Sequence, residues 1–400
     1  MNLVGNNLDI PRKISTGAIA SLNSLYNTLG CTESEITSVL NIPPDQLYTE
    51  IRISKAGGKQ RVVYNPHRLL RRLQKKINEQ IFSNSDVISW PCYLYGSIPN
   101  QNYEDGLEIY SRKDYVSCAA RHCGARSLLK LDVENFFDNI HYDVVYAVFS
   151  DFLKCSSDVS DILSRLCCKG EHLVQGALTS SYLASLCLYD LEGAVAERLR
   201  RKGFVYTRLV DDVTVSSKKL NVDFTFARNT VVSMLEGKDL PVNESKTKVH
   251  RVSTVPLSVH GLRIGFSTPR LPADEVRRIR AAVRNIESLA TESNYRTTHA
   301  YRHEFNRCMG RVNKLLRVEH SQHPSLASRL ERIRPLPSFR DIARAKGMID
   351  RLRSDHTSRA HTHWYKTRYH KVLERLIVLQ RTYKHVSYEF RVELKGLKPI

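Results

Sequence analysis

Nowhere do the 400 residues run to about 18 uninterrupted apolar positions, so no segment is built to cross a bilayer as a helix. The nine cysteines are scattered without a Cys-x-x-Cys pair, and an odd number cannot all pair within one chain. They read as reduced core residues, which leaves no disulfide framework and no zinc site to expect. Internal repeats and low-complexity tracts are missing. Residues 1–41 mix Asn, Asp, Glu and Lys with short apolar runs where a secretory leader would have a basic head and an apolar centre, and a cytoplasmic protein is expected. Acid is the scarcer charge: 41 Asp and Glu face 61 Lys and Arg, a formal net charge of +20.

The basic surplus is uneven. Residues 271–400 hold 28 Lys and Arg against 13 Asp and Glu, a local +15 that leaves +5 for everything before. Charge so concentrated suits a polyanionic partner held by its phosphates better than it suits mere solubility. With 42% hydrophobic residues and 400 positions, the chain can bury roughly three quarters of its surface, enough for a core divided into two or three lobes.

The acids that remain are informative. Asp211 and Asp212 stand side by side in Phe204-Val-Tyr-Thr-Arg-Leu-Val-Asp-Asp-Val-Thr-Val-Ser-Ser217, with a β-prone apolar segment on each side. Adjacent carboxylates at the tip of a tight hairpin are costly unless a cation neutralises them, so the pattern points to a divalent metal. A third acid ends the short apolar strand of Leu128-Leu-Lys-Leu-Asp132-Val-Glu-Asn-Phe-Phe137. Between the two lies Leu173-Val-Gln175-Gly176-Ala-Leu-Thr-Ser-Ser181, a polar turn that opens an apolar helix ending near Leu191. Alone, an Asp-Asp pair is most often a solvated turn; the ordered set of three segments carries the inference.

Elsewhere, residues 1–45 read as a helical segment: Ala18 to Leu29, then a second start at Thr32-Glu-Ser-Glu35, whose spacing is that of a capping box. Ile51 to Tyr64 alternates around Gly57-Gly58 as a basic β-hairpin carrying Lys59 and Arg61, and Leu69 to Phe82 follows as an amphipathic basic helix. Ser258 to Ile264 reads as the last strand of a central sheet. From Pro272 the chain is helical, with Val276, Ile279, Val283 and Ile286 as a buried stripe and breaks near Pro324 and at Pro335-Leu-Pro337. A final helix aligns Tyr365, Tyr369, Val372, Leu376, Leu379 and Tyr383, a packing face in preference to a nucleic-acid platform.

Strand acid, Gln-Gly helix and Asp-Asp hairpin, in that order, resemble the palm of reverse transcriptases, above all the bacterial retron-type enzymes and their defence-associated relatives. The resemblance covers roughly Ile51 to Arg280. Cys118-Ala-Ala-Arg-His122 is similar to the family's Asn-Ala-x-x-His, and Val259-His260-Gly261 to its Val-Thr-Gly. Departures are Leu209 at the Tyr of Tyr-x-Asp-Asp, Val174 and Leu178 at two prolines, and Cys118 and His260 at Asn and Thr. The resemblance implies an α+β right-hand polymerase with fingers, an antiparallel-sheet palm and a thumb: fingers and palm in 46–270, a basic helical thumb and C-terminal extension in 271–400. It further implies an RNA-directed DNA polymerase that copies a non-coding RNA template into a DNA product from dNTPs, in anti-phage defence. A homo-oligomer or a partner protein is left open.

Nucleotidyl transfer in such enzymes uses two Mg²⁺ ions about 3.5–4 Å apart. The resemblance assigns Asp132 and Asp211 as bridging ligands, Asp212 as a more peripheral acid and the Val133 carbonyl as an additional ligand. Phe137 falls where a bulky residue lies beneath the incoming sugar, so a ring there excludes a ribose 2′-hydroxyl; core packing is the alternative for either Phe136 or Phe137. Gln175 and Gly176 match a segment that contacts nucleotide and template, with a plain helix start as the alternative. Lys59 and Arg61 match residues that grip the triphosphate, or are surface charges. Lys246 is the candidate proton donor to pyrophosphate, with Lys248 competing for the role. Two other accounts stand beside this one: a protein-primed or untemplated DNA polymerase on the same fold, and a catalytically silent RNA-binding scaffold. Clustered acids, which repel phosphate, speak against the scaffold, and Phe137 speaks against an RNA-dependent RNA polymerase.

Overall fold

A computed structural model describes residues 8–54, 60–104 and 108–400, and within these the chain forms two compact units, Met1–Arg270 and Leu271–Ile400. Lys59 and the Gly57-Gly58 turn lie outside the described residues.

The first unit begins with two short helices whose ends are written locally. Ser21 caps Leu22–Leu29 by accepting from the Ser24 N–H, so the helix starts later than Ala18. Thr32 and Glu35 form the expected capping box on Glu33–Leu40. Leu25, Leu29, Ile36 and Val39 are buried in the same core as the central sheet. Strands Tyr48–Ser54 and Gln60–Pro66 pair antiparallel as the basic hairpin, with Arg61 opposite Ile53. Helix Arg68–Ile77 buries Leu70, Leu73, Gln74 and Ile77, and its last turn, Asn78–Phe82, widens to a π-helix.

Five strands make the central sheet, in the order Lys248–Arg251, Ser127–Asp132, Asp212–Ser217, Val205–Leu209, Leu94–Tyr95. The first four run antiparallel. Leu94–Tyr95 joins the far edge in parallel, so the sheet is mixed where a wholly antiparallel one was expected. Two residues suffice for that pairing, too few to leave an alternation in the sequence. A second correction concerns Ser258 to Ile264. That segment is a separate small hairpin of Ser258–Val259 with Leu262–Arg263, turned by His260 and Gly261 at φ 48 and 79. Positive φ at both central residues is what a tight two-residue hairpin turn demands. The sheet edge beside Ser127–Asp132 is taken by Lys248–Arg251 instead.

The second unit is helical throughout its core. Ala273–Thr291, His299–Arg317 and His323–Arg332 pack together, and Val276, Ile279, Val283 and Ile286 are all buried. Pro324 falls in the first turn of His323–Arg332, where a missing N–H costs nothing, so it opens a helix there. Phe339–Arg359, His363–Leu379 and Lys384–Lys395 form the remaining bundle. Tyr365, Tyr369, Val372, Leu376 and Leu379 line its core, and the Tyr365 hydroxyl donates to the Leu397 carbonyl at 2.8 Å, so the aromatic stripe is a packing face. Tyr383 lies beyond the helix, packed at the edge of that core. Among the described residues no helix is long and apolar enough to cross a membrane.

Candidate active site

Val205–Leu209 and Asp212–Ser217 turn so tightly that only Val210 and Asp211 separate them, and Val210 sits at φ 59. A β-branched residue in the left-handed region is strained, so surrounding structure must hold the turn. Arg208, 1% exposed, does so. Its Nη1 donates to the carbonyls of Val210 (3.1 Å) and Ala184 (2.9 Å), and its Nη2 to the Ser185 carbonyl at 2.9 Å. Nε and Nη2 each donate to one oxygen of the equally buried Glu192 carboxylate at 2.6 Å, and the Tyr206 hydroxyl donates to the same carboxylate. All five guanidinium N–H groups are thereby used, the condition under which a buried charge is tolerated. Opposite, Gly96 leaves room for the Val210 side chain: a Cβ there would lie 3.0 Å from Val210 Cγ2.

This turn faces the third acid. Asp212 lies directly across from Asp132 in the register of the two central strands, and the Val133 N–H donates to the Asp211 carbonyl at 3.3 Å. On the other side, Pro241–Asn243 runs along Asp132–Glu134: the Glu134 N–H reaches the Pro241 carbonyl, and the Asn243 N–H the Asp132 carbonyl, both at 2.8 Å. Val133 is buried and bridged to Val242. The turn after Asn243 then brings Lys246 Nζ to 2.6 Å from Asp132 Oδ2. Lys248, its competitor, lies in the edge strand opposite Lys130. Asp212 has a partner of its own, with His260 Nδ1 3.4 Å from its Oδ2.

The three carboxyls differ electrostatically. Burial pushes Asp211 upward, and the charges of Asp132 and Asp212 push the same way; its own backbone N–H and the Arg61 guanidinium pull only partly against them. Burial also pushes Asp212 up, but the hydrogen bond and charge of His260, with help from Lys130 and Thr214, outweigh it and hold that carboxyl below its usual value. The donors are all oxygens, as a hard divalent cation requires, and an excess of negative charge collects at Asp211. Among the described residues no three His, Cys, Asp or Glu side chains already converge as a cage. The reason is local: Asp132 is turned to Lys246 and Asp212 to His260, two partners that a cation would replace or reinforce. It is the chemistry of the donor set, three carboxylates on adjoining strands and turn, that fits a divalent ion.

The other candidates fall around this centre. Arg61 is exposed on the basic hairpin, within electrostatic reach of Asp211. Gln175 and Gly176 are joined to the hairpin: the Tyr64 N–H donates to the Gln175 carbonyl at 2.7 Å. Gly176, at φ 114, allows that approach, since a Cβ would fall 2.2 Å from the Tyr64 carbonyl oxygen. The close contact expected of this glycine is thus with the protein's own backbone. Phe136 is sealed in the core at 3% exposure, whereas Phe137 is half-buried, its ring centroid 6.0 Å from that of Phe136. Sequence reasoning missed Arg208 and Glu192. An arginine in a strand otherwise suited to burial was a signal that a buried acid must answer it, but nothing in the spacing named Glu192 as that acid.

Residues 53–280 match the family described as Reverse transcriptase (RNA-dependent DNA polymerase). The chain belongs to the reverse transcriptases. It is 44% identical to the Retron Ec48 reverse transcriptase of Escherichia coli, over 100% of this chain and 98% of that protein. Identity to the Retron Se72 reverse transcriptase of Salmonella heidelberg is 30%, over 95% and 97%. The Retron Ec86 reverse transcriptase of Escherichia coli is 26% identical over 66% and 78%. This reverse transcriptase is therefore of the retron type, an RNA-directed DNA polymerase of a class that depends on a divalent cation.

Proposed function

We propose that this reverse transcriptase copies a dedicated non-coding RNA into DNA by two-metal nucleotidyl transfer, with magnesium as the ion, and serves in bacterial defence against phage. The single observation that supports the chemistry best is the register of the central strands, which sets Asp132 across from Asp212 with Asp211 at the adjoining turn. Asp132 and Asp211 hold the ions, aided by the Val133 carbonyl, and Asp212 is the peripheral acid. Magnesium bound there supplies charge neutralisation and a lowered pKa at the attacking hydroxyl.

The remaining roles belong to the protein. Lys246 sits on an exposed, flexible stem at Asp132, from which its ammonium can turn to a departing pyrophosphate and supply a proton. Arg61 and Lys59, on the basic hairpin, grip the triphosphate. Gln175 and Gly176 tie that hairpin to the helix beyond and so fix the floor on which nucleotide and template rest. Phe137 lies under the sugar and excludes the 2′-hydroxyl. The basic unit 271–400 acts as thumb and holds the nucleic-acid backbone, with fingers and palm formed by 46–270.

The test is direct. Purified protein, the RNA encoded beside it, Mg²⁺ and labelled dNTPs should yield DNA, and replacing Asp211 and Asp212 with Ala should abolish product while RNA binding persists. DNA synthesis surviving that double change would remove the assignment of these acids.

A further inference from the structure

Two segments noted in the sequence, Cys118 to His122 and Val259 to Gly261, have no part in the chemistry above, yet the fold lays them against each other beside Asp212. Helix Tyr115–Ala120, capped by Asp114, buries Cys118 completely. The Cys118 thiol lies 3.3 Å from Thr207 Oγ1 and 3.2 Å from His260 Nε2. Thr207 Oγ1 is also 2.7 Å from His122 Nε2, and His122 Nδ1 is 2.7 Å from Ser216 Oγ. The His260 ring is thus backed by a fully buried polar chain rooted in both strands of the Asp-Asp hairpin. Its other nitrogen, Nδ1, faces Asp212 Oδ2 at 3.4 Å.

His260 holds this place at φ 48, a left-handed region that Gly and Asn enter at least as readily as His. The turn alone gives no reason for histidine. The ring's two contacts do: Nε2 meets the thiol and Nδ1 faces the carboxylate, to which it donates whenever it carries a proton.

We propose that Cys118 and His260 are a matched pair that fixes the orientation of the Asp212 carboxylate, with His260 as a positioning residue for the metal-holding acids. The inference rests on the reading of Asp212 as a member of that set. A carboxylate that must present one oxygen to a cation gains from having the other tied, because its rotation is then removed before the ion arrives. Cys118 acts one step further back, by keeping the ring from turning.

His260→Asn and His260→Gln separate the two nitrogens. The Asn amide nitrogen sits near the place of Nδ1, that of Gln near the place of Nε2. Two quantities are read: the Mg²⁺ concentration giving half-maximal DNA synthesis, and the Mn²⁺ concentration half-saturating the substrate-free protein by electron paramagnetic resonance. His260→Gln should raise both midpoints on the order of 10-fold or more, the usual consequence of losing a group that orients a ligand. His260→Asn should hold them within a few-fold of the wild type, and Cys118→Ala should raise them by less than His260→Gln does. Because Asn also suits the left-handed backbone, the midpoints and not total activity are the criterion. A purely structural histidine would lower the melting temperature and the active fraction and leave both midpoints in place. That result for His260→Gln, or midpoints raised equally by Asn and Gln, overturns the proposal. If Asp212→Ala itself leaves metal dependence unchanged, the underlying reading of the acids fails; if Asp212 is required and His260→Gln shifts nothing, the pairing alone fails.

Discussion

On the proposed reading of the site, a half-buried ring whose neighbour is sealed in the core has its back fixed and its front free to meet a sugar. Phe137 is that ring and Phe136 the neighbour. Replacing Phe137 with Ala opens space for a 2′-hydroxyl without hollowing the core, so ribonucleotide incorporation relative to deoxynucleotide should rise on the order of 10–100-fold. Steady-state incorporation of single dNTPs and rNTPs measures it, and an unchanged ratio removes Phe137 from the gate. His122 carries a second prediction of the same scale. It is 1% exposed, and burial first, then electrostatic interaction with His260, Arg121 and Lys130, lowers its pKa to about 3. Unfolded, the imidazole takes up a proton near pH 6.5, so between those two values the unfolded chain binds more protons than the native one. The stability that depends on neutral His122 is complete above about pH 6.5 and is lost as pH falls from there toward 3, by up to ~1.4 kcal/mol per pH unit. Urea unfolding across that window should show the slope, and His122→Gln should flatten it. A slope unaltered in the variant would assign the acid limb to other groups.

Among the elements, the Asp-Asp hairpin depends on a brace outside itself. Removing one member of the buried Arg208 and Glu192 pair leaves an unpaired charge and should cost about 3–5 kcal/mol, whereas replacing both with apolar residues avoids that penalty. The double variant Arg208→Met with Glu192→Leu should therefore recover the part of the stability that the unpaired charge costs, though not the part lost with the hydrogen bonds to the Val210, Ala184 and Ser185 carbonyls and from the Tyr206 hydroxyl. It should not recover polymerase activity, because no donor then reaches the Val210 carbonyl and the strained turn that carries Asp211 is released. Melting temperatures compared with turnover numbers decide the matter; a double variant both stable and fully active would show that the turn holds itself. The same hairpin marks where sequence reading works and where it stops. Strong local signals survived: the Thr32 and Glu35 box, the apolar strand ending at Asp132, and the stripe Val276, Ile279, Val283, Ile286. Pairings with little local signature did not, as with Leu94–Tyr95 in parallel at the sheet edge, or Ser258 to Ile264, whose apolar residues serve a small separate hairpin. The three acids stood out in the sequence because Asp132 ends an apolar strand, Asp212 begins one and Asp211 lies in the short turn before it. The pairing of His260 with Asp212 and of Glu192 with Arg208 did not stand out, because a contact across the chain leaves no period to count.

At the scale of the whole chain, charge is the property that local packing does not explain. The surplus of +15 in residues 271–400 sits on helices whose apolar faces are already buried, which leaves the basic faces to solvent or to a polyanion. One groove of ≈ 430 Å³ in this unit is lined by Arg302, Lys371 and Arg375 beside Asp341 and Glu374, and another of ≈ 620 Å³ by Arg278, Arg307, Arg311 and Lys314 beside Glu275 and Glu304. In the larger groove the basic residues belong to two neighbouring helices, Ala273–Thr291 and His299–Arg317. If the RNA backbone is held there, each phosphate contact releases counterions, and log affinity should fall linearly with log salt by about 0.7 for every contact to a single strand. Arg307→Gln with Arg311→Gln should then weaken RNA binding at low salt and lower that slope by about 1 to 1.5, with the turnover number under saturating RNA little changed. Fluorescence titrations between low and high salt supply the slope. An affinity that drops with the slope intact would mean that these arginines act on the fold of the helical unit, and the groove would lose its claim to the phosphates.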